Sequence, residues 1–119
     1  MQTIVELPEF QKRAINLFTD EEKLSIINYL ARHPMAGDIL QGTGGIRKLR
    51  WSAQGRGKSG GARVVYFYHN GTMPLFLLTV FGKGEKANLS KAERNDLARL
   101  TDLLRNCLLY TSDAADDRV

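Results

Sequence analysis

Lys48, Arg50 and Arg63 carry the chemistry that this sequence offers. No acidic residue lies between Asp38 and Glu85, whereas Arg47, Lys48, Arg50, Arg56, Lys58, Arg63 and Lys83 all fall in that interval. A concentrated basic field attracts polyanions. The same stretch holds Gly42, Gly44, Gly45, Gly55, Gly57, Gly60 and Gly61, and glycine lets backbone approach a ligand closely. The expected result is a phosphate-facing surface; a solvated hairpin without a ligand is the alternative. Cleavage of RNA through its 2′-hydroxyl needs a proton acceptor, charge stabilisation on the phosphorane and a proton donor for the 5′-oxygen. Arginine suits the second role, because its guanidinium fork matches phosphate oxygens. A lysine crowded by like charges is more easily deprotonated and can serve the first or third. A site without a His or Glu pair is thus chemically feasible.

Other chemistries find less support. Gly55 to Gly60 matches G-x-G-x-x-G, but a strand rather than a helix is expected after it, and no acid follows until Glu85. Lys58-Ser59 resembles the end of a P-loop, yet the first glycine of that motif would fall at Ser52. Ser59 has no recognisable histidine partner, since His33 and His69 are the only histidines. Cys107 is the single cysteine, so neither an intrachain disulfide nor a cysteine-based zinc site can form. No metal and no cofactor are expected. Trp51, Tyr66, Phe67 and Tyr68 can stack on bases or fill a core.

These side chains need a sheet to hold them. The alternation in Ile46–Trp51 puts Lys48 and Arg50 on one face and Leu49 and Trp51 on the other. Arg63 to His69 reads as the next strand, with Arg63, Val65, Phe67 and His69 opposite Val64, Tyr66 and Tyr68. Gln54–Gly61 is the loop between them, and Asn70-Gly71 is a hairpin-turn signal. Leu75–Phe81 is nearly all apolar, which predicts a strand buried on both faces. Upstream, Thr3–Leu7 predicts a short strand and Pro8 a helix start. Phe10, Ala14, Leu17 and Phe18 continue at helical spacing. Thr19 and Glu22 form a capping box that opens a second helix, and Pro34 ends it. Ser90 and Glu93 form another capping box, before a helix with Leu97, Leu100 and Leu104 inward. The order β-α-α-β-β-β-α predicts an α+β fold: a small, mainly antiparallel sheet with an N-terminal helical hairpin and a C-terminal helix.

The chain has 119 residues and a net charge of +4, enough for one domain. No apolar run reaches membrane-span length and no signal layout opens the chain, so the cytoplasm is the default compartment. Residues 1–106 are expected to form that domain. Residues 107–117, Cys-Leu-Leu-Tyr-Thr-Ser-Asp-Ala-Ala-Asp-Asp, resemble the translation of a transposon-type sequencing adapter. Residues 107–119 are therefore set apart as an expected artefactual tail. They hold three aspartates and one arginine, so without them the net charge rises from +4 to +6.

Three segments carry a resemblance: Gly37 to Arg50, with Gly-Thr-Gly-Gly-Ile-Arg-Lys-Leu-Arg; Gly57 to Tyr66; and Leu78-Thr-Val-Phe-Gly-Lys83. Over about residues 1–105 the chain resembles the RelE/HigB-type toxins of bacterial type II toxin–antitoxin systems. The resemblance implies a ribosome-dependent mRNA endoribonuclease that arrests translation. It also implies a cognate antitoxin, helix-turn-helix and HigA-like, with operator DNA reached only through that antitoxin. By position, Lys48 and Arg50 match the family's basic strand pair, Arg63 the arginine before the Val-Val-Tyr strand, and Lys86 the basic residue after the Gly-Lys turn. These are the expected catalytic residues. Arg47, Arg56, Lys58 and Lys83 are expected to contact the RNA. Some relatives carry a tyrosine near the C-terminus, where this chain reads Ala87-Asn88-Leu89. A non-catalytic basic RNA- or DNA-binding module and an operon co-repressor acting with an antitoxin are the rival readings.

Overall fold

A computed structural model of the chain describes residues 1–52, 61–82 and 89–117, with 107–117 given as helical backbone alone. The elements run β1 (Ile4–Glu6), α1 (Pro8–Leu17), α2 (Asp20–Arg32), β2 (Asp38–Ile39), β3 (Ile46–Trp51), β4 (Ala62–Phe67), β5 (Leu75–Gly82) and α3 (Lys91–Asp117). The five strands form one sheet in the order β1-β5-β4-β3-β2. Only β1 with β5 is parallel; the other pairs are antiparallel. The expected α+β architecture is what the chain adopts, with β2 as an added two-residue edge strand.

Local chemistry sets the helix limits. Pro8 opens α1, where its missing N–H costs no helical hydrogen bond. In the Thr19 capping box, Glu22 N–H donates to Thr19 Oγ1 at 3.1 Å, and Thr19 N–H donates to Glu22 Oε1 at 2.8 Å. The helix stops at Arg32, with His33 as C-cap before Pro34. Ser90 and Glu93 repeat the reciprocal bonds at 3.1 and 2.8 Å, fixing the first turn of α3. That helix continues to Asp117, into the segment set apart as a tail. Neither glycine nor proline interrupts residues 91–117, and Leu and Ala there are strong helix formers.

The sheet is buried on both faces. Phe10, Ala14, Phe18, Ile26 and Leu30 of the helical hairpin pack on Ala62, Val64, Tyr66, Leu75, Leu77 and Val80. Against the other face, Leu97, Leu100 and Leu104 of α3 cover Ile46, Val65, Phe67, Phe76, Leu78 and Phe81. Six consecutive buried residues in β4 match its place in the middle of the sheet. The Asn70-Gly71 pair does not make the tight hairpin turn its sequence suggests. Neither residue has positive φ, which a type I′ turn requires. Instead Asn70 Oδ1 accepts from the backbone and hydroxyl of Thr72, at 2.9 and 2.6 Å, within a longer loop.

Candidate nucleic-acid interface

Strand register decides which basic side chains meet. Ile46, Lys48 and Arg50 of β3 lie opposite Phe67, Val65 and Arg63 of β4. Those β4 residues in turn lie opposite Phe76, Thr79 and Phe81 of β5. Across the α3 side of the sheet there are thus three rows: Ile46–Phe67–Phe76, Lys48–Val65–Thr79 and Arg50–Arg63–Phe81. The number of cations rises from none to one to two across these rows. Directly opposed residues have Cβ atoms about 5 Å apart, and Lys48 and Arg50 are spaced about 7 Å along their strand. Three cations therefore share one face of the sheet within two adjacent rows.

Arg63 is the centre of this arrangement. It is only 8% exposed, unusual for an arginine. Arg50 stands directly opposite, and like charges in that position repel. Among the described residues, no carboxylate pairs with either guanidinium. Two arginines of α3 behave differently: Arg99 pairs with Asp96 at 2.6 Å, and Arg105 pairs with Asp102. A buried guanidinium that no described carboxylate neutralises, facing a second one, has the chemistry to attract an anion.

Arg47 takes no part in this face. It alternates with Lys48, and its side chain turns toward the helical-hairpin side. There Nη1 donates to Gly37 O at 2.8 Å and to Met35 O at 3.2 Å. It ties the segment after α2 onto β3. Tyr66 secures the same segment: its hydroxyl donates to Pro34 O and accepts from Gly37 N–H, both at 2.8 Å. Burial raises the Tyr66 pKa above its ordinary 10.0, outweighing the opposing effects of the Gly37 hydrogen bond and the Arg47 charge. Gly37 itself has no room for a side chain, since a Cβ would lie 3.0 Å from Lys48 O and from the Tyr66 ring and hydroxyl. This packing fixes β2 on β3 and hence the backbone that carries Lys48.

Arg56, Lys58, Lys83 and Lys86 lie outside the described residues. Trp51 packs with Leu49 against the core beneath the helical hairpin and meets Tyr29 edge-on, with ring centroids 5.7 Å apart. Tyr66 and Phe67 are fully buried and Tyr68 is partly so. Phe67, like Trp51, is core, and the described face is basic rather than aromatic.

One residue of the face escaped the sequence reading. Arg94 of α3 lines a groove of about 250 Å³ together with Lys48, Leu40 and Leu89. The signal was available: Arg94 precedes Leu97 by three and Leu104 by ten positions, so it shares the helix side that faces the sheet. Among the described residues no cluster of three or more His, Cys, Asp or Glu side chains gathers to hold a metal. No helix among them is long and apolar enough to cross a membrane. Residues 8–110 match the family model of the RelE toxin of the RelE / RelB toxin-antitoxin system.

Proposed function

The chain belongs to the RelE toxin family, and from that premise we propose that it is a ribosome-dependent mRNA endoribonuclease that arrests translation. The observation that carries this reading is the buried Arg63 opposite Arg50, with no carboxylate paired to either among the described residues. Attack of the 2′-hydroxyl on the adjacent phosphorus gathers negative charge on the phosphorane oxygens. Two guanidinium groups set about 5 Å apart at Cβ can both reach those oxygens. Their mutual repulsion in the free protein is relieved as that charge develops, so the pair favours the transition state over the empty site. Lys48, on the same face and one residue pair away, is assigned to proton transfer at the 2′-hydroxyl or the 5′-oxygen. Lys86 is assigned to the same chemistry from the segment after β5, with Arg56, Lys58 and Lys83 holding flanking backbone.

The family implies an antitoxin partner. We assign that role to a helix-turn-helix protein of HigA type, through which alone the toxin would reach operator DNA. The cytoplasm is the compartment in which such a pair acts. The test is induced expression of the full chain, following growth, translation and cleavage of ribosome-bound mRNA by primer extension. Growth arrest with new mRNA ends, both abolished by Arg63→Met, is the expected result. Normal growth with soluble, folded protein present would overturn the reading.

A further inference from the structure

We propose that Arg94 forms a second phosphate subsite, flanking the one made by Arg50 and Arg63. The inference rests on reading this face as the RNA site and extends it to a residue on another element. Arg94 stands in the first turn of α3 and lines the 250 Å³ groove whose opposite wall includes Lys48. Lys48 belongs to the row beside Arg50–Arg63. The groove therefore lies one row from the arginine pair, on the α3 side of the sheet, where a strand held by the pair can extend.

Three observations set Arg94 apart from an ordinary surface arginine. Both other arginines of α3 within the described side chains are paired with a carboxylate three residues earlier, whereas Arg94 pairs with no carboxylate among the described residues. It is partly buried rather than splayed into solvent. The Ser90–Glu93 capping box clamps the turn that carries it. In that box the carboxylate of Glu93, the acidic neighbour in sequence, already accepts from the Ser90 backbone N–H. The backbone that carries Arg94 is thus fixed, and no described carboxylate neutralises its guanidinium. Leu40 and Leu89 complete the groove with apolar surface, against which a ribose or base edge can lie. The ligand class is single-stranded nucleic acid spanning at least two successive phosphates.

The test uses salt dependence, which counts phosphate contacts. The probe is a fluorescein-labelled single-stranded DNA oligonucleotide, which lacks the 2′-hydroxyl and cannot be cut by the proposed chemistry. For single strands the slope of log affinity against log salt is about −0.7 per neutralised phosphate. Arg94→Gln should flatten the slope by about 0.7. Arg99→Gln, which removes the same formal charge from the same helix, should leave it unchanged. Arg94→Lys keeps the charge on a similar stem and should retain the wild-type slope, and it serves where Arg94→Gln fails to fold. An unchanged slope in folded Arg94→Gln, or loss of slope in Arg94→Lys, would overturn the subsite. If the chain cuts mRNA while Arg94→Gln binds as wild type, the subsite alone falls. If Arg94 sets the slope but no RNA is ever cut, the ribonuclease reading falls and the subsite stands as a binding site.

Discussion

At the scale of single residues, Arg63 should separate catalysis from stability. Its burial means that truncation to alanine would leave a void, so methionine, of similar reach and no charge, is the informative replacement. Arg63→Met also removes the repulsion with Arg50. Its melting temperature should equal or exceed wild type, while mRNA cleavage falls by roughly 10²–10³, the range seen when one donor to a developing oxyanion is lost. Parallel loss of both would mark Arg63 as structural. Tyr66 should show the converse pattern. Tyr66→Phe leaves Pro34 O and Gly37 N–H without their buried partner, at about 1–3 kcal/mol of stability. Because burial raises the Tyr66 pKa in the fold, the hydroxyl's contribution is fully present below pH 10 and fades as pH rises through the raised folded value. Denaturant titrations of both proteins from neutral pH upward should therefore converge above pH 10; a constant gap would refute the linkage. Much of this site was legible in the sequence: alternation alone put Lys48 and Arg50 on one face and Arg63 on the polar side of the next strand. The same parity placed Arg47 on the opposite face, a consequence the charge count hid. Arg63's burial was not legible, because it depends on the middle position of β4 in the sheet, which only the order of the strands reveals.

At the scale of elements, the register between β3 and β4 is the device that opposes Arg50 and Arg63, and Gly61 guards it. Its φ is +73°, and a Cβ there would sit 2.1 Å from Trp51 O and 2.7 Å from the Ser52 Cα. No neighbouring side chain can yield, since the obstacle is backbone. Gly61→Ala should cost about 2 kcal/mol or more and lower cleavage beyond what the lost stability explains, because the adjoining register must shift. Thermal melting and cleavage assays on the same preparation check this; a wild-type melting temperature would mean that the junction adapts. Most elements announced themselves through local signals: Pro8, the two capping boxes, Pro34, and the apolar run of β5. Those signals are short-ranged and survive any tertiary context. The β2 strand did not, because two exposed residues, Asp38 and Ile39, have no periodicity to read, and only pairing with Arg47 and Lys48 makes them a strand. The Asn70-Gly71 turn misled for the opposite reason. Its dipeptide favours a two-residue turn, but Phe67 and Phe76 are the last paired residues, and the wider loop relaxes the need for positive φ.

At the scale of the whole molecule, residues 107–119 are set apart by their sequence, which from Thr111 onward offers only two alanines and Val119 as apolar side chains. A chain ending at residue 106 should therefore melt within about 4 °C of the full one, a difference below about 1 kcal/mol. It should bind single-stranded RNA equally or more tightly at low salt, since the deleted segment carries a net charge of −2. A large drop in melting temperature would show that residues 107–119 belong to the fold. One further consequence follows from the parallel pairing of Ile4 with Leu75. The first strand made waits for the last one, and β5 lies between β1 and β4 in the sheet. A two-stranded hairpin is marginal alone in water, so β3 and β4 lack a platform until β5 has been synthesised and has left the exit tunnel. The nascent polypeptide thus carries Lys48, Arg50 and Arg63 through much of elongation without the face that arranges them. On the proposed function, timing protects the ribosome that translates this message: the basic face cannot assemble before β5 has emerged to join β1 and β4.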